Sequence, residues 1–401
     1  MCKQQVESLL LKLKGLWGIC ALLLWAPVLA DPPSPSILYL SWVDDPSTSM
    51  LIQWHVKQKI PLESIAVRKV GESQWQHFVS TSRKIEGTKY AVQQVNLKQL
   101  SPDTEYEFRL RAETHKFRTM PSSLDRAIQF GVGGDIYSDP ERCELMSREI
   151  AARSPDFVVL GGDIAYAYGH GWVWGKGLPR WREFLKAWRR DMVTPDGRLI
   201  PLLPVLGNHD MRANKPGTYR LFETLFPRAQ PLSYAAVDMG NYLSLFLLDT
   251  GHVAPISGEQ TRWLETELLK RKGMRYRLAV YHKAGYPSVY PYEGKIPQQI
   301  REHWSPLFEK HGVRVAFENH NHAYKRTYPI LENRVDPAGV IYLGDGAWGV
   351  PPRQLKNASS WYLEKAASAN AIALVTLKQE HLKIEVLTYD GNTLDQCVIS
   401  R

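Results

Sequence analysis

The chain has 401 residues, 44% of them hydrophobic and 23% charged, with a net charge of +9 and 4 cysteines. These values exclude wholesale disorder, collagen-like repeats and a polytopic membrane protein, and the length allows a core that needs no disulfide framework. No cysteine falls in a CxxC pair, which sets aside a thiolate zinc site, and the basic balance points to an anionic partner: nucleic acid, a membrane surface or a phosphorylated substrate.

At the N-terminus Lys3, Lys12 and Lys14 precede the apolar run 16–25, and Val28-Leu29-Ala30 offers a small-residue cleavage pattern. Residues 1–30 are therefore expected to be a secretory signal peptide, with an uncleaved anchor as the alternative. The run is short for a bilayer span, and no later run is long enough, so the mature protein is expected to be exported without a stable membrane anchor. Cleavage after Ala30 would remove three lysines and one glutamate, lowering the net charge from +9 to +7, and would leave Cys143 and Cys397 either to pair or to remain free thiols. Asn357-Ala358-Ser359 is a glycosylation sequon, relevant where the source glycosylates.

Residues 36–119 read as a β-sandwich of short strands, with strands expected at 49–56, 65–70, 75–80, 90–97 and 105–112 and turns between them. Trp54 is the expected core anchor. The segment from Leu100 to Phe108 is similar to the tyrosine corner of fibronectin type III domains, where Tyr106 would bind backbone through its hydroxyl. No chemistry is apparent in this domain. Residues 124–401 read as α/β: strands at 127–132, 157–160, 202–206, 242–248, 276–281 and 313–318, and helices at 140–153, 179–191, 260–270 and 296–311. The join near Pro121 is short, so the two domains are expected to pack directly.

Polar residues follow these strands in order. Gly133-Gly134-Asp135 ends the first, Gly161-Gly162-Asp163 with Tyr166 the second, and Gly207-Asn208-His209-Asp210 the third; Tyr281-His282 and Asn319-His320-Asn321-His322 end later ones. Loops beyond strand ends are where α/β folds build their sites. One such loop would be an ordinary turn, but five in succession offer carboxylate, imidazole and amide donors suited to a pair of first-row ions. Such a pair activates water and clamps the oxygens of an in-line phosphoryl displacement.

This series resembles the calcineurin-like metallophosphoesterases, and Tyr166, three residues after Asp163, resembles the purple acid phosphatases among them. The resemblance covers residues 36–401, including the N-terminal fibronectin type III-like domain. It implies an α/β domain of two packed mixed sheets flanked by helices, and a binuclear centre of Fe(III) with a divalent ion (Zn, Fe or Mn). By position, Asp135, Tyr166 and His322 match ligands of the ferric ion, Asp163 the bridging carboxylate, and Asn208, His282 and His320 ligands of the divalent ion. His209 matches a histidine that assists the leaving group, and the implied nucleophile is a metal-bound hydroxide acting on a small phosphorylated substrate.

The chain departs from the family pattern in three places. Ile136-Tyr137 follows Asp135 where a glycine is usual, Asn319 replaces the glycine before His320, and Lys283, Tyr290 and Tyr292 stand where many relatives place phosphate-contacting histidines. Those three are read as loop residues, with substrate contact the alternative. In the aromatic insert 168–188, Trp181, Phe184, Leu185 and Trp188 lie at helical spacing and are expected to be buried, while His170, Trp172 and Trp174 are left open as walls of the cleft. The favoured activity is a secreted acid phosphatase. A phosphodiesterase or nucleotide pyrophosphatase is the second reading and an inactive binding protein the third, whereas the dispersed basic residues match no nucleic-acid motif.

Overall fold

A computed structural model describes residues 35–169, 177–212, 215–230, 232–344 and 346–400. The expected signal peptide and His170, Trp172 and Trp174 lie outside them. Strands β1 (Leu38–Ser41), β2 (Met50–Lys57), β3 (Ser64–Lys69), β4 (Gln76–Val79), β5 (Thr81–Lys84), β6 (Tyr90–Leu97), β7 (Glu105–Leu110) and β8 (Glu113–Arg118) form two antiparallel sheets, ordered β1-β2-β6-β5 and β4-β3-β7-β8. Trp54 is fully buried, and its indole N–H donates to Glu63 at 2.8 Å. The tyrosine corner is present: the backbone N–H of Ser101 donates to the Tyr106 hydroxyl at 2.9 Å, and the Tyr106 ring stacks on Phe117. The expected strands missed three edge strands: β1, which is short and wholly buried, β5, which buries nothing, and β8, which buries only Phe117, so none carries a long alternation.

The remainder runs β9 (Ile128–Gly133), α1 (Pro140–Ala152), β10 (Phe157–Leu160), α2 (Leu178–Asp191), β11 (Leu202–Pro204), α3 (Pro216–Leu225), β12 (Ala235–Met239), β13 (Leu243–Leu248), α4 (Glu259–Lys270), β14 (Tyr276–Lys283), α5 (Lys295–His303), α6 (Ser305–Lys310), β15 (Val315–Asn319), β16 (Tyr324–Thr327), β17 (Ile330–Leu331), β18 (Arg334–Val335), β19 (Ile341–Gly344), β20 (Leu363–Ala367), β21 (Ile372–Leu377), β22 (His381–Leu387) and β23 (Thr393–Ser400). Two mixed sheets result, ordered β11-β10-β9-β21-β22-β23 and β12-β13-β14-β15-β19-β16-β20. The first sheet is parallel across β9, β10 and β11, and the second across β13, β14, β15 and β19.

The central strands β10, β13 and β15 are buried along their whole length because both faces are covered. Phe157 and Val159 of β10 face the core between the sheets, as do Leu245, Leu247, Leu278, Val280, Val315 and Phe317 of the second sheet. Val158 and Leu160 turn the other way onto Met146 and Ile150 of α1 and Trp181 and Phe184 of α2. Phe246, Leu248, Ala279 and Tyr281 turn onto Leu264 and Leu268 of α4, Ile300 of α5 and Phe308 of α6. The expected helix at 296–311 is two helices. Pro306 cannot donate a backbone hydrogen bond in the first turn of α6, and the chain breaks at Trp304.

The β-sandwich packs directly on the α/β part. The Tyr39 hydroxyl and the Gln53 amide both donate to the Leu225 carbonyl at the end of α3, at 2.9 and 3.1 Å. Trp42 meets Phe157 edge to face, and Arg126 bridges Asp103 to Asp156. Cys143 is buried in α1, Cys397 lies half-buried in β23, and both are free thiols. Among the described residues no helix is long and apolar enough to cross a membrane.

Candidate metal centre

Every predicted site residue lies just beyond or at the C-terminal end of a strand. Asp135 follows β9, Asp163 and Tyr166 follow β10, Asn208 and His209 follow β11, His282 is the next-to-last residue of β14, and His320 and His322 follow β15. Parallel pairing within each sheet aligns these ends on one edge, and the facing of the two sheets brings the edges together. The backbone is held in unusual conformations there: Asp135, Asp163, Tyr166, His320 and His322 all have positive φ, between +49° and +80°. Non-glycine residues in this region are uncommon, and the strain is sustained only where surrounding structure fixes it. Close approach explains Gly207, since a Cβ there would lie 2.0 Å from the Asp163 backbone nitrogen.

The side chains converge in two sets. In the first, the Tyr166 hydroxyl lies 3.0 Å from Asp135 Oδ1 and 3.1 Å from His322 Nε2, and His322 Nε2 lies 2.9 Å from Asp135 Oδ1. In the second, His282 Nε2 lies 3.2 Å from Asn208 Oδ1, 3.2 Å from His320 Nδ1 and 3.2 Å from Asp163 Oδ2. Donor atoms bound to one cation at about 2.1 Å, at right angles to one another, sit about 3 Å apart. Ligand atoms of Asp135, Asp163, His282 and His320 all lie within 4.8 Å of one another, so the two sets adjoin and this group can hold a metal ion. Asp163 Oδ2 is buried without a hydrogen bond, an orphan oxygen of the kind a cation satisfies.

Other groups set the orientation of these donors. His282 Nδ1 donates to the Gly161 carbonyl at 3.0 Å, which leaves Nε2 facing the other donors. The backbone N–H of His320 donates to Asp135 Oδ2 at 2.8 Å, joining the first and last loops. Asn319 replaces the family glycine without disturbing the site. Its amide donates to the Tyr281 carbonyl at 2.9 Å and fills the space left by Gly161, where a Cβ would lie 2.2 Å from Asn319 Nδ2.

The ionisation pattern follows from crowding. Burial opposes the charge of Asp163, but His282, His209 and His320 outweigh it and hold the carboxyl well below its usual range. Burial likewise opposes protonation of His282, yet Asp163 raises it to about 9. Burial and then the His282 charge push His320 well below the ordinary imidazole value. Burial and the charges of Asp135 and Asp163 push the Tyr166 phenol well above 10, so the metal-free side chain is a neutral donor.

His209 stands beside the two sets. Its Nδ1 donates to the Tyr168 carbonyl at 2.7 Å, its ring stacks on Tyr166 with centroids 4.9 Å apart, and Nε2 lies 3.9 Å from Asp163 Oδ2. With Nδ1–H committed to a carbonyl, Nε2 is the nitrogen that faces the centre.

Of the three residues at the family's histidine positions, Tyr290 stacks on His320 with centroids 5.0 Å apart, and largely buried Lys283 lies within electrostatic reach of Asp163. Tyr292 is half-buried and packs against the second sheet's helix-covered face instead, stacked on Tyr362 and under the Arg301 guanidinium. Trp181, Phe184, Leu185 and Trp188 are buried in α2 as their spacing predicted.

Sequence reasoning passed over two residues that shape the site. Asp210 accepts from the backbone N–H groups of Ile164 and Gly207 at 2.8 and 2.9 Å, tying the second loop to the third, and burial with the charge of Asp163 lifts it to about 8. Its place beside His209 was the only signal. Arg353, whose Nη1 lies 3.5 Å from the His320 carbonyl, comes from a segment with no strand or helix pattern, so nothing local marked it.

Comparison with known proteins gives a concordant likeness. Residues 35–124 match the family model for the purple acid phosphatase N-terminal domain, and residues 128–324 match that for calcineurin-like phosphoesterases. Purple acid phosphatase 21 of Arabidopsis thaliana is 28% identical over 272 residues, covering 64% of this chain and 58% of the relative. Purple acid phosphatase 23 of the same plant is 24% identical, covering 78% of this chain and 77% of the relative. The chain thus spans little more than half the length of the first of these. In fold it is similar to the yellow lupin purple acid phosphatase PPD1, with a TM-score of 0.76 at 16% identity over 92% of this chain and 75% of that one.

Proposed function

We propose, from the premise that this chain belongs to the purple acid phosphatases of the calcineurin-like phosphoesterase superfamily, that it hydrolyses phosphomonoesters at a binuclear centre of Fe(III) and a divalent Zn, Fe or Mn ion. The observation that carries this reading is the convergence of the two donor sets at about 3 Å, with the orphan Asp163 oxygen beside the second. Asp135, Tyr166 and His322 would hold the ferric ion, Asn208, His282 and His320 the divalent ion, and Asp163 both. The ferric assignment is argued from the donor set, a phenol beside a carboxylate and an imidazole, which suits a hard, strongly acidic cation. When bound, such a pair acidifies a water and neutralises the phosphoryl charge.

The chain's own residues do the rest. His209 delivers a proton from Nε2 to the leaving oxygen, while the Tyr168 carbonyl fixes its tautomer and Tyr166 fixes its ring. Asp210 keeps the loops bearing Asp163 and His209 in register. We read residues 1–30 as an export signal, on their lysines and apolar run.

Purified protein should contain two metals per chain, including iron, and absorb in the visible through Tyr166. It should turn over a chromogenic phosphomonoester faster than the diester of the same chromophore. His209→Ala should lower kcat by about 10²–10⁴ on esters with poor leaving groups. Colourless, iron-free protein under oxidising conditions would remove the ferric assignment. Failure of metal-loaded protein to hydrolyse either ester would remove the activity.

A further inference from the structure

The segment carrying Tyr290 is pinned on both sides. The backbone N–H groups of Val289 and Tyr290 donate to Asn321 Oδ1, which sits between His320 and His322, at 3.0 and 3.1 Å. The Asn357 side-chain amide donates to the carbonyls of Pro287 and Tyr290, at 3.1 and 2.6 Å. The Tyr290 ring is thereby held flat on His320 at the mouth of the centre. Its hydroxyl accepts a hydrogen bond of 2.5 Å from Arg353 Nη1. Arg353 is tethered as well, since its backbone N–H donates to the His322 carbonyl at 2.8 Å.

Arg353 differs from Arg326 and Arg301 in its partners. Arg326 is paired with Glu364 and Asp395, and Arg301 lies opposite Glu293. Among the described residues no carboxylate pairs with Arg353, whose side chain donates only to the Tyr290 hydroxyl and, at 3.5 Å, to the His320 carbonyl. It is half-buried, and its charge is felt at the Tyr166 hydroxyl. A fixed guanidinium with uncommitted donors, beside a centre that handles phosphate, offers planar recognition of phosphoryl oxygens.

We infer that Arg353, positioned by Tyr290, binds a terminal phosphoryl oxygen of the substrate and selects phosphomonoesters over diesters. This rests on the phosphoesterase reading above and sharpens its substrate class. A monoester dianion presents three terminal oxygens and two charges. A diester presents two oxygens and one charge, and its second ester group would occupy the place that the guanidinium claims. Arg353 and Tyr290 thus offer the phosphoryl group a planar guanidinium fork held at the mouth of the centre.

The test compares wild type with Arg353→Ala, Arg353→Lys and Tyr290→Phe in metal-loaded full-length protein. For each, KM and kcat are measured on a monoester and a diester of one chromophore, inorganic phosphate binding by calorimetry, and metal content alongside. Arg353→Ala should weaken monoester KM and phosphate binding about tenfold to a hundredfold, change diester KM less than threefold, and leave metal content unchanged. Arg353→Lys should recover part of the loss, and Tyr290→Phe should lose about two- to fivefold. Equal losses on both esters, or phosphate binding within twofold of wild type in Arg353→Ala, would overturn the assignment. If wild type neither hydrolyses a monoester nor binds phosphate, the phosphoesterase reading fails and the assignment with it.

Discussion

Two clusters of buried charge lie side by side along β15 and the loop after it, and they are built in opposite ways. Glu318 is wholly enclosed and fully answered. It accepts from the Tyr281 hydroxyl and the Gly285 N–H at 2.7 Å each and from the Tyr286 N–H at 3.3 Å, and it pairs with Lys325. Lys325 also donates to the Tyr286 carbonyl. Two residues on, the cluster around Asp163, His282 and His320 leaves a carboxylate oxygen without a hydrogen bond and aims imidazole nitrogens at one another across 3.2 Å. A cluster that closes on itself holds the loop 284–290 in place. A cluster left open toward its own centre is arranged for something that is not protein. The closed one supports the open one, because the same loop presents Tyr290 to His320.

The contrast yields predictions. Asp163→Ala should open the centre furthest, lowering phosphoesterase activity about ten-thousandfold and costing the protein at least one bound metal. Elemental analysis and turnover check it together, and a far-ultraviolet spectrum should show the fold intact. Lys325→Met should break the closed cluster instead. It strands the Glu318 charge, and the chain should lose about 3–5 kcal/mol of stability in denaturant titration. If activity falls before stability does, the two clusters are not separable in the way described.

The pH dependence of the metal-free protein sharpens the comparison further. His282 is raised to about 9 by Asp163 against the effect of burial. A histidine whose folded value exceeds its unfolded value of 6.5 contributes stability fully below about pH 6.5 and loses it as the pH rises through about 9. Wild type should therefore lose an advantage over Asp163→Asn across that interval, read from denaturation midpoints at pH 6 and pH 9.5. Metal loading should suppress the effect by displacing the proton. The smallest effect belongs to the β-sandwich. Tyr106→Phe removes the hydrogen bond from Ser101 and should cost about 1 kcal/mol with no change in turnover.

Much of the site was legible because its residues are punctuation. Asp135, Asp163, Asn208 and His320 each follow an apolar strand with glycine or asparagine before them, and the tight turns leave a sequence trace even without the fold. Helices with a proline or a capping aspartate near their start, such as α1 with Asp139 and Pro140, were legible for the same reason. Strands β16 to β23 were not. Pairing of β21 with β9 joins residues some 240 positions apart, with Val375 opposite Phe130, and no local pattern specifies a partner at that distance. The break at Trp304 went unread because the apolar spacing continues through Pro306.

The sequence by itself therefore determined the donor inventory, the order in which donors meet the chain, and the two kinds of domain, since these depend on residue type and short-range periodicity. Tertiary structure alone decided which donors lie about 3 Å apart, which ring nitrogen of His209 and His282 meets a carbonyl, and that Tyr292 packs away from the donors while Arg353 comes to the His320 carbonyl. Those outcomes depend on distances between segments remote in the chain. Burial and remote neighbours then shift Asp163, Tyr166, His282 and His320 in directions that no local window contains.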